Sequence, residues 1–171
     1  VTRFEDMTGQ RDRLLAEAVR LREDGRREEA RERLLALCEQ FPLDADVAYQ
    51  TAWVHDTLGL EAEAVPHYVR AVEQPGLSAD DRRGALLGLG STYRVLGRYA
   101  EAVTTLRDAA EEFPDDGALR TFLAMALYNT GRTHDAMELL LTLLAATSRD
   151  PDVSAYRPAI EHYAKDLDAT M

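Results

Sequence analysis

The stretch GALLGLGSTYRVLGRYAEAVTTLRDAAEEFP, residues 84–114, decides the fold of this chain. Leu86, Leu89, Gly90 and Tyr93 recur at three- and four-residue spacings, Gly97 interrupts them, and Ala102, Leu106 and Ala109 resume the pattern until Pro114. That period belongs to one face of a helix, so the segment reads as helix, turn, helix. The same marks return along the chain. Gly25, Gly59, Gly97 and Gly131 are separated by 34, 38 and 34 residues, and each is followed five residues later by Ala30, Ala64, Ala102 or Ala136. A period in the low thirties marks a helical repeat array, in which a single helix pair cannot bury its apolar face alone.

Working outward, the first helices are expected at about 10–24, 44–58, 79–96 and 115–130, and the second at 27–40, 60–74, 98–112 and 132–146. The second interval is four residues longer than the others, and the excess falls in residues 74–81, where Ser78 and Asp81 have the spacing of a capping box. This is a longer loop between repeats. Pro66, inside a second helix, is expected to kink it or shift its start. After Ser148, the spacing of Val153, Tyr156, Ile160, Tyr163 and Leu167 predicts an amphipathic final helix covering the end of the array.

The units resemble the tetratricopeptide repeat family. The third carries Leu86, Leu89-Gly90, Tyr93, Gly97, Tyr99, Ala102, Leu106, Ala109 and Pro114; the fourth carries Leu123-Ala124, Leu127, Gly131, Ala136, Leu140 and Leu143. Ala52, His55, Gly59, Ala64, Tyr68, Ala71 and Pro75 mark the second, and Leu14, Ala18, Leu21, Gly25, Ala30, Leu34 and Pro42 the first. The runs at 84–94 and 122–129 look like those of small bacterial members of unassigned function. The resemblance implies an all-α right-handed superhelical solenoid as one domain, with repeats at about 11–44, 45–78, 79–116 and 117–150 and a capping helix at about 151–168. It implies protein binding, without naming the partner.

Composition narrows the function further. With 171 residues, the chain accommodates four helix pairs and a cap. A formal charge of -11 disfavours nucleic acid and anionic membranes, since both need a cationic surface. No apolar run approaches a membrane span and no secretory leader is visible, so a cytoplasmic location is expected. Lys165 is the sole lysine among 20 basic residues, and the single Cys38 reads as a small packing residue.

The catalytic inventory is thin. His55, His67, His134 and His162 lie on different helices without metal-ligand spacing to the cysteine, and His55 falls where the family has an aromatic packing residue. Gly84, Gly88 and Gly90 lack the preceding strand and following lysine of a phosphate loop, and read as points of close helix approach. No nucleophile, base and orienting acid share a local pattern, so no enzyme, cofactor or metal is expected, and an enzyme or metal-binding module stands as the last alternative, behind protein binding and self-association.

One face is more specific. At 100° per residue, Ala85, Leu86, Leu89, Gly90, Tyr93 and Leu96 form the packing arc of their helix, while Leu87, Ser91 and Arg94 point away. Shifting by the repeat gives three columns: Leu15, Tyr49, Leu87, Thr121; Val19, Trp53, Ser91, Met125; and Arg22, Asp56, Arg94, Tyr128. In the family, these first helices line the concave surface. Leucine, valine, aromatics and methionine here, where a solvated face would be charged, point to an interaction surface. The expected ligand is a protein or peptide, oriented by Asp56 and Arg94. The lysine and asparagine clamp of the co-chaperone members is absent. Two rival occupants of the columns are a second copy, giving a homodimer, and the chain's own final helix or residues 1–9. Arg13, Glu17 and Asp24 stand on the first helix where later repeats have Ala85, Leu89 and Leu96, as expected of the open end of an array.

Overall fold

A computed structural model describes residues 2–169, with side chains from Thr8 onward. Ten helices follow in order: α1 (Thr2–Glu23), α2 (Arg27–Gln40), α3 (Ala45–Thr57), α4 (Glu61–Glu73), α5 (Ala79–Val95), α6 (Tyr99–Glu112), α7 (Gly117–Asn129), α8 (Thr133–Thr147), α9 (Pro151–Ala155) and α10 (Arg157–Ala164). No strand occurs among the described residues. The chain packs as two compact units, Val1–Leu96 and Gly97–Met171.

The repeated glycines have a backbone cause. Gly25, Gly59, Gly97 and Gly131 all adopt φ between 73° and 81°, where a side chain would be strained. At Gly59 the chain closes a Schellman turn: Leu60 N–H donates to the His55 carbonyl at 3.0 Å and Gly59 N–H to Asp56 at 3.0 Å. The alanines that follow have a packing cause. Ala30, Ala64, Ala102 and Ala136 are all buried, where each second helix presses on its neighbours.

Helix starts are set by short polar caps. Asp44, Ser78 and Asp116 accept from Val47, Asp81 and Leu119 N–H, respectively. At Ser78 only the forward half of the expected capping box forms, because the Ser78 hydroxyl itself donates to the Asp81 carboxylate at 2.7 Å. Pro66 neither stops α4 nor shifts its start: Glu61 follows Arg27 by 34 residues, in phase with the repeat, and the helix continues to Glu73.

In the first unit α2 packs on α1 and α3, α4 on α3 and α5, and α3 also meets α1 and α5, so the first helices adjoin. The core around α2 holds Ala18, Leu34, Leu37, Val47 and Val54. In the second unit α7 packs between α6 and α8, and α10 lies on α8.

Three expectations change. The first helix begins at Thr2 and not near residue 10. Leu96 is exposed, because it caps α5 beyond its last turn. The final amphipathic helix is broken at Tyr156, since Pro158 has no N–H to continue α9 and restricts the residue before it. Helical phase is lost at the break, and the predicted stripe does not form one buried face. Val153 and Ile160 are half-buried, Tyr156, Tyr163 and Leu167 are exposed, and Ala164 is the residue buried in α10.

Candidate partner-binding face

The first helices of the leading unit bring Leu15, Val19 and Arg22 on α1 beside Tyr49, Trp53 and Asp56 on α3, with Leu87, Ser91 and Arg94 on α5. Leu15 and Tyr49 are buried, and Leu87, Val19, Ser91, Asp56 and Arg94 are half-buried. Trp53 stands out, with 40% of its surface exposed.

Tyr49 is held by what α5 lacks. A Cβ added at Gly84 would lie 2.3 Å from the Tyr49 hydroxyl, and one at Gly88 would lie 2.5 Å from the Tyr68 ring. Two glycines one turn apart are therefore sockets for tyrosine rings from α3 and α4. The close approach expected at these glycines is between ring and backbone. Tyr49 continues the aromatic row, stacked on Trp53 with centroids 5.7 Å apart and tilted against Tyr68 at 6.4 Å.

Asp56 is engaged inside the protein. Tyr68 donates to it at 2.7 Å and Thr92 at 3.0 Å, which ties α3, α4 and α5 through one carboxylate. Burial raises its pKa against the opposing pull of those two hydroxyls.

Arg22 reaches across from α1. Its Cζ lies 3.8 Å from the centroid of the Trp53 ring, and Nη1 donates to the Gln50 side-chain oxygen. Only 9% of the residue is exposed, and burial lowers its pKa. Beside it, a cavity of about 530 Å³ is lined by apolar Leu15, Ala16 and Val19 and by polar Arg20, Gln50 and Asp81. Arg11 also borders the cavity but is occupied: it binds Asp44 through two bonds of 2.8 and 2.6 Å, Asp46 at 2.7 Å and Asp12 at 2.8 Å. Burial would raise the Asp44 carboxyl, but Arg11 and the Val47 N–H hold it below the usual range.

In the second unit, the corresponding positions lie on α7. Thr121 is half-buried, Met125 is 38% exposed and Tyr128 66%. The apolar residues Met137, Leu140 and Leu144 are exposed along one side of α8.

The histidines are less scattered than their sequence positions suggest. His55 and His67 stack with centroids 5.2 Å apart. His55 Nδ1 lies 2.7 Å from the Thr51 carbonyl and must donate, since a carbonyl only accepts. Burial, together with His55 and Arg70, lowers His67 to about 4. Cys38 Sγ lies 3.2 Å from the Thr51 hydroxyl, and burial pushes the thiol up. His134 bonds Asp168 at 2.7 Å on the surface. Among the described residues, no group of three or more His, Cys, Asp and Glu is placed to hold a metal ion. No helix among them is long and apolar enough to cross a membrane.

The sequence reading overlooked the Arg22–Trp53 contact and the role of Tyr68. A signal for the second was present: mid-helix glycines at 84 and 88 cost helix stability and therefore mark a close contact.

A chain of paired helices with glycine turns and buried alanines at a period near 34 belongs to the tetratricopeptide repeat family, whose sequence model, described as Tetratrico peptide repeat, matches residues 45–167. The fold generally mediates protein–protein interaction. An uncharacterized protein of Aquifex aeolicus (strain VF5) is 35% identical over 86 residues, which is 50% of this chain and 11% of that relative. Among solved structures, MamA of AMB-1 aligns with a TM-score of 0.68 at 21% identity, over 92% of this chain and 87% of its own. Pseudomonas aeruginosa PilF aligns at 0.65 and 20% identity, over 94% and 77%. At these identities the likeness concerns the fold.

Proposed function

We propose that this chain is a non-enzymatic adaptor that takes up an extended or helical segment of a protein partner on the face of its first helices. Trp53 carries the reading. A tryptophan fixed between Tyr49 and Arg22, yet 40% exposed, is a rigid aromatic surface of the kind that anchors interfaces. Leu87, Val19 and Ser91 extend the surface around it, and Met125 and Tyr128 offer a second exposed patch on α7. Leu15, Tyr49 and Asp56 support the face from beneath.

Trp53 is the only tryptophan and reports on its own site. A neutral quencher should reach it in dilute protein, and affinity capture from the native lysate should lose its specific partner with Trp53→Ala, at a cost of about 2 kcal/mol or more in binding. A Trp53 already shielded in the dilute monomer overturns the reading.

The exposed Met137, Leu140 and Leu144 of α8 favour a second reading, self-association into a homodimer. Sedimentation over a roughly hundredfold dilution, wide enough to cross an ordinary dissociation constant, decides it: a constant monomer mass removes the dimer.

A further inference from the structure

Arg22 differs from the paired arginines of the chain. Arg11, Arg26, Arg31, Arg83, Arg98 and Arg132 each meet a carboxylate. Arg22 is more buried than any of them, yet among the described residues it meets only the neutral Gln50 oxygen and the face of Trp53. Charged side chains are rarely this buried unless paired. One bond to an amide and a ring contact leave most of the five guanidinium donors without a protein acceptor. The side chain is nevertheless held, because the Trp53 ring fixes its plane and Gln50 fixes one edge. Glu23 lies near enough to favour the charge but does not bond it, and a planar fork fixed in advance with no carboxylate bonded to it is suited to one, which it binds through short charge-assisted bonds.

Resting on the reading of this face as a partner-binding site, we propose that the bound segment carries an aspartate or glutamate whose carboxylate pairs with Arg22 above Trp53, next to an apolar side chain that enters the adjoining cavity. Leu15, Ala16 and Val19 supply the apolar wall of that cavity. Of the carboxylates that line it, Asp12 and Asp46 are bound by Arg11 and Asp81 accepts from the Ser78 hydroxyl, which tempers their repulsion of an incoming acid, and Arg20 adds a second cation to the wall. The overall charge of -11 does not forbid an acidic segment, because at physiological salt charges more than about 8 Å away are largely screened and the contact at Arg22 dominates.

The test uses three short capped peptides without tryptophan, alike in their leucines and alanines and differing only in a central Glu, Gln or Lys, titrated against Trp53 fluorescence. The Glu peptide should bind at least about tenfold more tightly than the Gln peptide, and the Lys peptide more weakly still. In Arg22→Gln, confirmed as folded by its helical spectrum, the preference should vanish, and in Arg22→Lys it should partly return. An independent readout needs only the wild type: added salt should weaken the Glu peptide and leave the Gln peptide unchanged. Equal binding of all three peptides overturns the carboxylate proposal while the face stands as a binding site. No response to any peptide overturns both. A Trp53 spectrum that shifts with protein concentration alone overturns the proposal in favour of a second copy.

Discussion

His67 and Gly88 illustrate how a single residue is governed by its neighbours. Burial and His55 lower the His67 pKa from 6.5 to about 4, so the unfolded chain binds more protons than the folded one between those values. The resulting stability is complete above about pH 6.5, falls as pH drops through the window and is fully lost below about pH 4. Its size is on the order of 1 to 3 kcal/mol. Asp56, raised from 3.8, acts with the opposite sign where its own window overlaps. Comparing urea unfolding of wild type with His67→Gln from pH 7.5 to about pH 4.5 isolates the histidine, and parallel curves would show that it is not responsible. Gly88→Ala should destabilise by about 1 to 3 kcal/mol despite alanine's better helix propensity, because the new methyl lies 2.5 Å from a buried tyrosine ring that also bonds Asp56. Gly9→Ala, in α1 with open space around it, should instead stabilise by about 0.5 to 1 kcal/mol. Thermal melts that move in the same direction for both variants would refute the socket at Gly88.

Helices and turns were the most legible elements, because their signals are local. A glycine at positive φ followed by the first turn of the next helix is a short-range requirement, and the second helices α2, α4, α6 and α8 begin within a residue of expectation. Arg26, Arg98 and Arg132 stand one residue after their glycines and pair with an acid three residues on, a repeated surface feature of these starts. The repeated alanine marks where helices meet. Ala102→Leu should cost about 1 to 3 kcal/mol through overpacking, whereas Glu101→Gln on the adjoining surface, which removes only an exposed pair with Arg98, should move the melting midpoint far less. Equal shifts would mean that the register of α6 is misread. Elements whose ends depend on distant context were less legible: α9 and α10 share an uninterrupted apolar spacing, and Pro158 outweighs it.

At the scale of the molecule, a far-UV spectrum dominated by helix is expected, and a measurable strand signal would refute the fold. The spacing of Gly25, Gly59, Gly97 and Gly131 was enough to establish an array of helix pairs, since each unit repeats the same local turn and contact. The face of the first helices was legible as an arc of residues, because helical geometry alone determines which positions share a side. Its chemistry was not, because burial depends on what arrives from other helices. Periodicity could not reveal that Tyr49 sinks against Gly84, that Asp56 is bound by Tyr68 and Thr92, or that Arg22 lies on Trp53. Those contacts join residues 12 to 36 positions apart, and only the packing of one helix pair on the next brings them within reach. The sequence by itself determined the repeat, its turns and the side on which the candidate face lies; tertiary structure decided which of its residues are support and which are exposed, since exposure is a property of neighbours and not of spacing.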